Sequence, residues 1–241
     1  MGMTPLPGVR VTLITRGGDT PYSGMLPGFI AGYYRHEECY IDLRRLAAFA
    51  GARLILDEAV GLDRERGQVM TRGHPPFRYD VLSIDIGSTP TIDNVPGAAD
   101  FATPVKPIDR FEAQWSKILA RLLKAEGKVT LALVGGGVGG VELAFAVRER
   151  LGALVRILLL TAGEPLPHLS PGPRRRVLHA LQGRGIEVVG EAEVTGVEKG
   201  ALVARDGRRF PYDELLWVTE ARAAPWLAQT GLALDGQGFI A

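Results

Sequence analysis

The sequence predicts an α/β fold built from two three-layer domains, the first of them incomplete. Three observations carry this: an internal repeat, a strand that runs into a glycine cluster and then a helix, and strand-length apolar runs alternating with helical stripes. In the repeat, Phe77-Arg78-Tyr79-Asp80-Val81-Leu82 recurs as Phe210-Pro211-Tyr212-Asp213-Glu214-Leu215. Upstream, GARLILDEAVGLDRERGQVMTRG (51–73) lies beside RGIEVVGEAEVTGVEKGALVARDG (184–207), and VRVTLIT (9–15) matches VRILLLT (155–161). The first copy is the longer, and its excess falls in an aromatic loop, GGDTPYSGMLPGFIAGYY (17–34). A strand and glycine loop (129–140) precede VRILLLT, whereas eight residues precede VRVTLIT. By the chain's own symmetry, the first copy is expected to lack its opening strand, glycine turn and helix.

The elements follow in order. Val9–Thr15 is β-branched and of strand length. Leu43, Leu46, Ala47 and Ala50 make a helical stripe ending at Gly51. Residues 53–69 read as short strands with a turn at 63–67, a meander connecting larger elements, and Phe77–Ile86 reads as a strand closed by Gly87-Ser88. Residues 91–107 are proline-rich and read as a linker. Asp109 with Glu112 resembles a capping box, ahead of a stripe of Phe111, Trp115, Ile118, Leu119 and Leu122. Val129–Val134 is a buried strand, and Val141–Leu151 a helix. Three segments result: a partial domain over 1–107, a second domain over 108–225, and a return segment over 226–241.

Composition excludes several classes. Lys and Arg total 28 against 27 Asp and Glu, a net charge of +1, with 46% hydrophobic residues. Such a chain is not disordered and offers no electrostatic footprint for nucleic acid or an anionic membrane. The single cysteine, Cys39, excludes an internal disulfide and a CxxC pair, and is expected to be an incidental small side chain. The four histidines are dispersed, and no metal site is expected. The N-terminal MGMTPLPG has no basic stretch followed by an apolar run, so no leader is read there, and a cytoplasmic location is expected. Val129–Val147 has the length of a membrane span, but the glycines at 135–137 and 139–140 with Glu142 fit strand, turn and helix better.

Gly135-Gly136-Gly137-Val138-Gly139-Gly140 satisfies GxGxxG in the context that gives the pattern meaning, after a strand and at the start of a helix. Gly135 would permit the tight turn, Gly137 the close approach of a pyrophosphate, and Gly140 the packing of helix on strand. The helix N-terminus would supply N–H donors to the phosphates. The two copies thus read as Rossmann-like units. A ribose-binding acid is expected at the end of the next strand, where Thr161 stands with Glu164 following. Arg156 and Arg174–Arg176 offer a 2′-phosphate site instead; the latter run begins a helix and reads as solvated. NAD is favoured over NADP, with the choice open.

With GGGVGGVE (135–142), YDVLSIDIGS (79–88) and its echo YDELLWVTEA (212–221), the chain resembles the two-domain FAD/NAD(P) enzymes of the pyridine nucleotide-disulfide oxidoreductase superfamily. Without CxxC it is similar to the NADH dehydrogenase and sulfide:quinone reductase branch. TPYSGMLPG (20–28) resembles a subgroup sometimes fused to selenide, water dikinase, which leaves a selenium- or sulfur-linked redox role as a third reading. The resemblance implies FAD on the first repeat and NAD(P)H on the second. Hydride would pass from nicotinamide to flavin and on to a small-molecule or quinone-like acceptor. Gly135, Gly137, Val138, Gly139 and Gly140 would hold the pyrophosphate, with Thr161 and Glu164 near the ribose. Glu142 would face the nicotinamide, pairing with Lys106, or serve only as a first-turn helix carboxylate. Arg16 would lie near the FAD ribose, with Tyr22, Ser23, Gly24 and Met25 toward the flavin and Asp85, Gly87 and Ser88 along its edge. A homodimer is among the open oligomeric states.

The chain departs from that family at three places. The first glycine fingerprint is absent, the sequence stops at Gly238-Phe239-Ile240-Ala241, and the usual Ala-Thr-Gly turns are replaced by Ile84-Asp85-Ile86-Gly87 and Val218-Thr219-Glu220. The alternative reading is a non-catalytic NAD(H)-binding module, or an inactive fragment lacking FAD.

Overall fold

The computed structural model describes residues 7–90, 92–219 and 221–241. The chain divides into two compact units. One comprises the residues up to Tyr22, His36–Thr89 and Arg222–Ala241; the other comprises Ser23–Arg35 and Pro90–Ala221.

In the first unit, β1 (Thr12–Thr15), α1 (Leu43–Phe49) and β2 (Arg53–Leu56) form a β-α-β crossover. The strands pair parallel, with Thr12 opposite Arg53 and Thr15 opposite Leu56. Asp42 caps α1, its carboxylate accepting the N–H groups of Arg44 at 2.9 Å and Arg45 at 3.1 Å, which satisfies two of the orphan donors of the first turn. The apolar stripe is narrower than its periodicity predicts: Leu43 and Ala47 are buried, while Leu46 and Phe49 face outward. A helix of two turns presents only one i, i+4 pair to its sheet. An antiparallel meander follows, β3 (Ala59–Asp63), β4 (Gln68–Thr71) and β5 (Phe77–Arg78).

The expected strand over 77–86 ends after Arg78. Among the described residues no strand pairs with 79–88, and Val81 is 90% exposed. An apolar run becomes a strand only where a neighbouring ladder satisfies its backbone, and among the described residues this run has no such ladder beyond Tyr79.

The second unit is built around a five-stranded parallel sheet. In chain order its parts are β6 (Thr103–Pro104), α2 (Ile108–Lys124), β7 (Val129–Val134), α3 (Val138–Leu151), β8 (Val155–Leu160), α4 (Pro171–Gly183) and β9 (Ile186–Val189). A meander of β10 (Val194–Glu198), β11 (Ala201–Ala204) and β12 (Arg209–Pro211) leads to β13 (Glu214–Trp217). The sheet order is β9-β8-β7-β13-β6. Connections run outward from β7 to β8 and β9, then return to its other side, so the strand order reverses at β7.

Period-two alternation splits the strands between two cores. Leu131, Leu133, Ile157 and Leu159 face α2 and α3, where they meet Phe111, Trp115, Ile118, Val147 and Leu151. Ala132, Val134, Leu158, Leu160 and Trp217 face the meander side, with Val194, Val197, Leu202 and Tyr212. Helices, sheet and meander are the three layers, and burial on both faces explains why β7 and β8 read as continuous apolar runs. Each large side chain that α2 buries contributes roughly 1.5–3 kcal/mol.

Two local expectations change. Pro107, at φ −69, is the N-cap of α2, so Asp109 lies within the helix and is not its cap; the proline ring already sets the entry backbone. The proline-rich linker contributes β6, which runs parallel to β13 with Thr103 opposite Leu216. Val105 N–H donates to the Trp217 carbonyl at 3.1 Å and Val197 N–H to the Pro96 carbonyl at 2.9 Å. Prolines are tolerated there because β6 is an edge strand.

The repeat extends to individual contacts. Tyr79 N–H donates to the Gly67 carbonyl at 2.9 Å, and Tyr212 N–H to that of Gly200 at 3.1 Å. Arg72 pairs with Glu58 at 2.8 Å, and Arg205 with Glu193 at 2.5 Å. Both meanders shift register at corresponding places, Ala59/Gly61 and Val194/Gly196. No helix among the described residues is long and apolar enough to cross a membrane.

Candidate nucleotide-binding site

The glycine turn sits at the carboxyl end of β7, beside the point where strand order reverses, the place where open α/β sheets bind ligands. Gly135 takes φ +132, a conformation other residues rarely adopt, and a Cβ there would overlap the Val218 carbonyl. A Cβ on Gly136 would collide with the Thr161 side chain, and one on Gly140 with the Gly135 carbonyl. Gly137 differs: a Cβ there would meet nothing within 4 Å. Interior packing therefore does not require glycine at 137, and a side chain there would project into open space.

Gly137 is also the N-cap of α3, which begins at Val138 and so takes Gly139 and Gly140 into its first turn. The sequence reading starts this helix three residues later, because glycines weaken helices. Here the Gly135 carbonyl, which a Cβ on Gly140 would overlap, selects glycine at 140, while a Cβ on Gly139 would meet only Val218 Cγ1 at 3.7 Å. The first-turn N–H groups have no partners inside the helix, and with the helix dipole they offer donors and partial positive charge to an anion.

Beyond β8 the chain folds back onto this turn. Thr161 is 6% exposed, and its backbone is tied by a bond to the Val189 carbonyl at 3.0 Å and one from Ala192 N–H at 2.8 Å. Its side chain is thus committed to packing against Gly136. Leu166, buried at φ 53, donates its N–H to the Gly136 carbonyl at 2.8 Å. That left-handed conformation costs a leucine about 1–3 kcal/mol, and the surrounding contacts hold it. Between these anchors stands Glu164, exposed and paired with Arg174. Both line a cavity of about 370 Å³ together with Pro165, Pro171, Arg175 and Leu178.

Arg174 was expected to be solvated; instead its side chain is 25% exposed and engaged. Helical spacing does not register a partner ten residues back in the sequence. Arg156 pairs with Glu187 on β9 at 2.6 Å, near the amino end of β8 and away from the glycine turn.

A profile of the pyridine nucleotide-disulphide oxidoreductase family matches residues 4–241. The chain belongs to this family. It is similar to the NADH dehydrogenase-like protein YutJ of Bacillus subtilis, 27% identical over 76% of this chain and 50% of that protein. It is also similar to demethylphylloquinone reductase NdbB of Synechocystis, 26% identical over 81% of this chain and 50% of that protein. Its fold matches that of NDH2 from Plasmodium falciparum, solved in complex with NADH, with a TM-score of 0.83, 18% identity and coverage of 95% of this chain and 54% of the other. The chain therefore spans about half the length of the curated relatives it matches.

In this member of the pyridine nucleotide-disulphide oxidoreductase family, the remaining sequence candidates occupy distinct places. Glu142 is exposed on α3, and Lys106 is exposed just past β6, beyond the carboxyl ends of the sheet strands. Arg16 follows β1 and is exposed, as is Tyr22. Ser23 and Gly24 are exposed and lead into the short helix Leu26–Ala31. Leu26, Ile30 and Ala31 bury into the same core as Val141, Ala144 and Val147 of α3. Asp85, Gly87 and Ser88 lie between β5 and the short strand Thr89–Pro90.

The residues fit a nicotinamide dinucleotide at the glycine turn. Gly137 leaves the approach open, and Thr219 Oγ1, next to the Val218 carbonyl that faces Gly135, is buried with no partner among the described residues. Sequence reading gave no site role to Gly136, Leu166, Thr219, or to Pro165, Pro171 and Leu178 of the cavity wall. Of these, Gly136 alone carried a signal, as the extra glycine inside the motif.

Proposed function

We propose that this chain binds NAD(P)H on its second unit and serves an FAD-dependent oxidoreductase of the NADH dehydrogenase-like type with a quinone-like acceptor. The observation that carries the proposal is the open face of Gly137 beside Gly135, Gly136 and Gly140, where interior packing does demand glycine. When bound, the reduced nicotinamide supplies a hydride.

The chain's own part is to bind and orient. The N–H groups of Val138, Gly139 and Gly140 receive the pyrophosphate, and the α3 dipole adds to their pull. Thr219 Oγ1 is available to a group placed at the turn. Glu142 and Lys106 are the residues assigned to the nicotinamide end, one carboxylate and one ammonium setting its orientation. Arg16, Tyr22, Ser23, Gly24, Asp85, Gly87 and Ser88, all from the first copy of the repeat, are the residues assigned to the flavin. The names of the curated relatives, an NADH dehydrogenase-like protein and a quinone reductase, support the reaction class.

The gathering of the glycine turn and both large apolar clusters in the second unit favours a second reading, a non-catalytic NAD(H)-binding module. One preparation separates the two. Purified protein that shows flavin absorbance, bleached on adding NADH, supports the oxidoreductase. Colourless protein that is still thermally stabilised by NADH supports the module.

A further inference from the structure

Leu166 holds a backbone conformation that its own sequence opposes. Among the described residues only Leu166 and Glu191 take a positive φ without being glycine, at 53 and 48. Both border the loop that follows β8, where Glu191 N–H donates to the Gly163 carbonyl at 3.4 Å. Leucine rarely adopts this region. A residue before proline, as Leu166 is before Pro167, is further biased to extended backbone of negative φ. The conformation is therefore imposed from outside the segment. The Leu166 side chain, 3% exposed, packs in the apolar cluster that holds Val141 and Leu159, and its carbonyl accepts Leu169 N–H at 3.1 Å. Strain of this kind is kept where the surroundings over-determine it, and it clusters at functional sites.

What the conformation secures is one hydrogen bond, from Leu166 N–H to the Gly136 carbonyl at 2.8 Å. The neighbouring carbonyls of the turn are held by the turn and its helix. That of Gly137 accepts Val141 N–H at 3.2 Å, and that of Gly135 lies against Gly140, where a Cβ would overlap it. The Gly136 carbonyl is held from beyond β8. Across a trans peptide the C=O and the following N–H point in opposite directions. The bond that draws the Gly136 carbonyl toward Leu166 thus turns the Gly137 N–H away from it, at the residue whose Cβ position is open. We infer that Leu166 is a positioning residue for the phosphate turn: its backbone sets the Gly136–Gly137 peptide so that the Gly137 N–H joins the donors that meet the dinucleotide's pyrophosphate. Leu166 touches no ligand and acts through the Gly136 carbonyl. The inference rests on the nucleotide-binding reading above, and adds to it the residue that keeps the turn in its binding conformation before the ligand arrives.

Two properties of residue 166 rank its substitutions in opposite orders. Apolar packing favours leucine, then valine, then asparagine or glycine. Tolerance of a positive φ favours glycine and asparagine over leucine, and leucine over the β-branched valine. Calorimetric titration of the whole chain with NADH, below every melting transition, and circular dichroism melting of the same variants separate the two. Leu166→Val melts above Leu166→Asn and Leu166→Gly, yet it binds NADH about tenfold more weakly than wild type. Leu166→Asn and Leu166→Gly melt lowest, yet keep NADH affinity within about threefold of wild type. A Leu166→Val affinity equal to wild type overturns the inference and leaves nucleotide binding standing. Affinities that follow the melting order, with the asparagine and glycine variants the weakest binders, also overturn it, because a purely structural role produces that order. A wild type that does not bind NADH overturns it together with the underlying reading.

Discussion

Asp57 shows how a single carboxylate can hold a meander in place. Its side chain is 7% exposed and accepts N–H groups from Glu58 at 2.7 Å and Gly73 at 3.0 Å, with His74 Nδ1 at 2.6 Å. The His74 hydrogen bond, then those of the backbone amides, holds its carboxyl well below the usual carboxylate range, against the opposing effect of burial. A carboxyl depressed in the folded state stabilises fully above its unfolded pKa of about 3.9, and that contribution is lost as pH falls toward the folded value. Asp57→Asn therefore melts below wild type at pH 7, and the gap narrows as pH drops below about 4. Equal gaps at pH 7 and pH 2.5 would contradict this. Nothing local in the sequence marks the cluster, because Asp57 and His74 are seventeen residues apart. The glycine turn, by contrast, was legible residue by residue, since its spacing encodes its geometry.

At the level of elements, ladder partners decide what apolar runs become. YDELLWV and YDVLSID are near repeats, yet β13 lies between β7 and β6 while 79–88 forms no strand among the described residues. Composition alone could not separate them, because the difference lies in distant backbone. The same limit hid β6: prolines mark breaks in sequence, while an edge strand accepts them. Helix α2 was legible because its stripe is long enough to average out local exceptions. Amide hydrogen exchange should find β7 and β8 the slowest segments and 79–88 among the fastest. Protection over Val81–Gly87 equal to that of β13 would show that this run is paired after all.

Across the whole chain, the internal repeat organises the molecule, down to the Arg72–Glu58 and Arg205–Glu193 pairs. The two copies diverge in what they bury. Both large apolar clusters belong to the second unit, whereas the first exposes Leu46, Phe49, Leu56 and Val81. The second unit also carries the glycine turn, the cavity and Leu166, and so the chemistry proposed for the chain concentrates there. The central claim is that Gly137 is reserved for a ligand and not for packing. Thermal melting of wild type and Gly137→Val, each with and without saturating NADH, tests it directly. Valine at an N-cap costs about 1 kcal/mol, so without ligand the variant should melt only a few degrees lower. NADH should raise the wild-type melting temperature and leave the variant unmoved. An equal NADH-induced rise in both proteins would contradict the account.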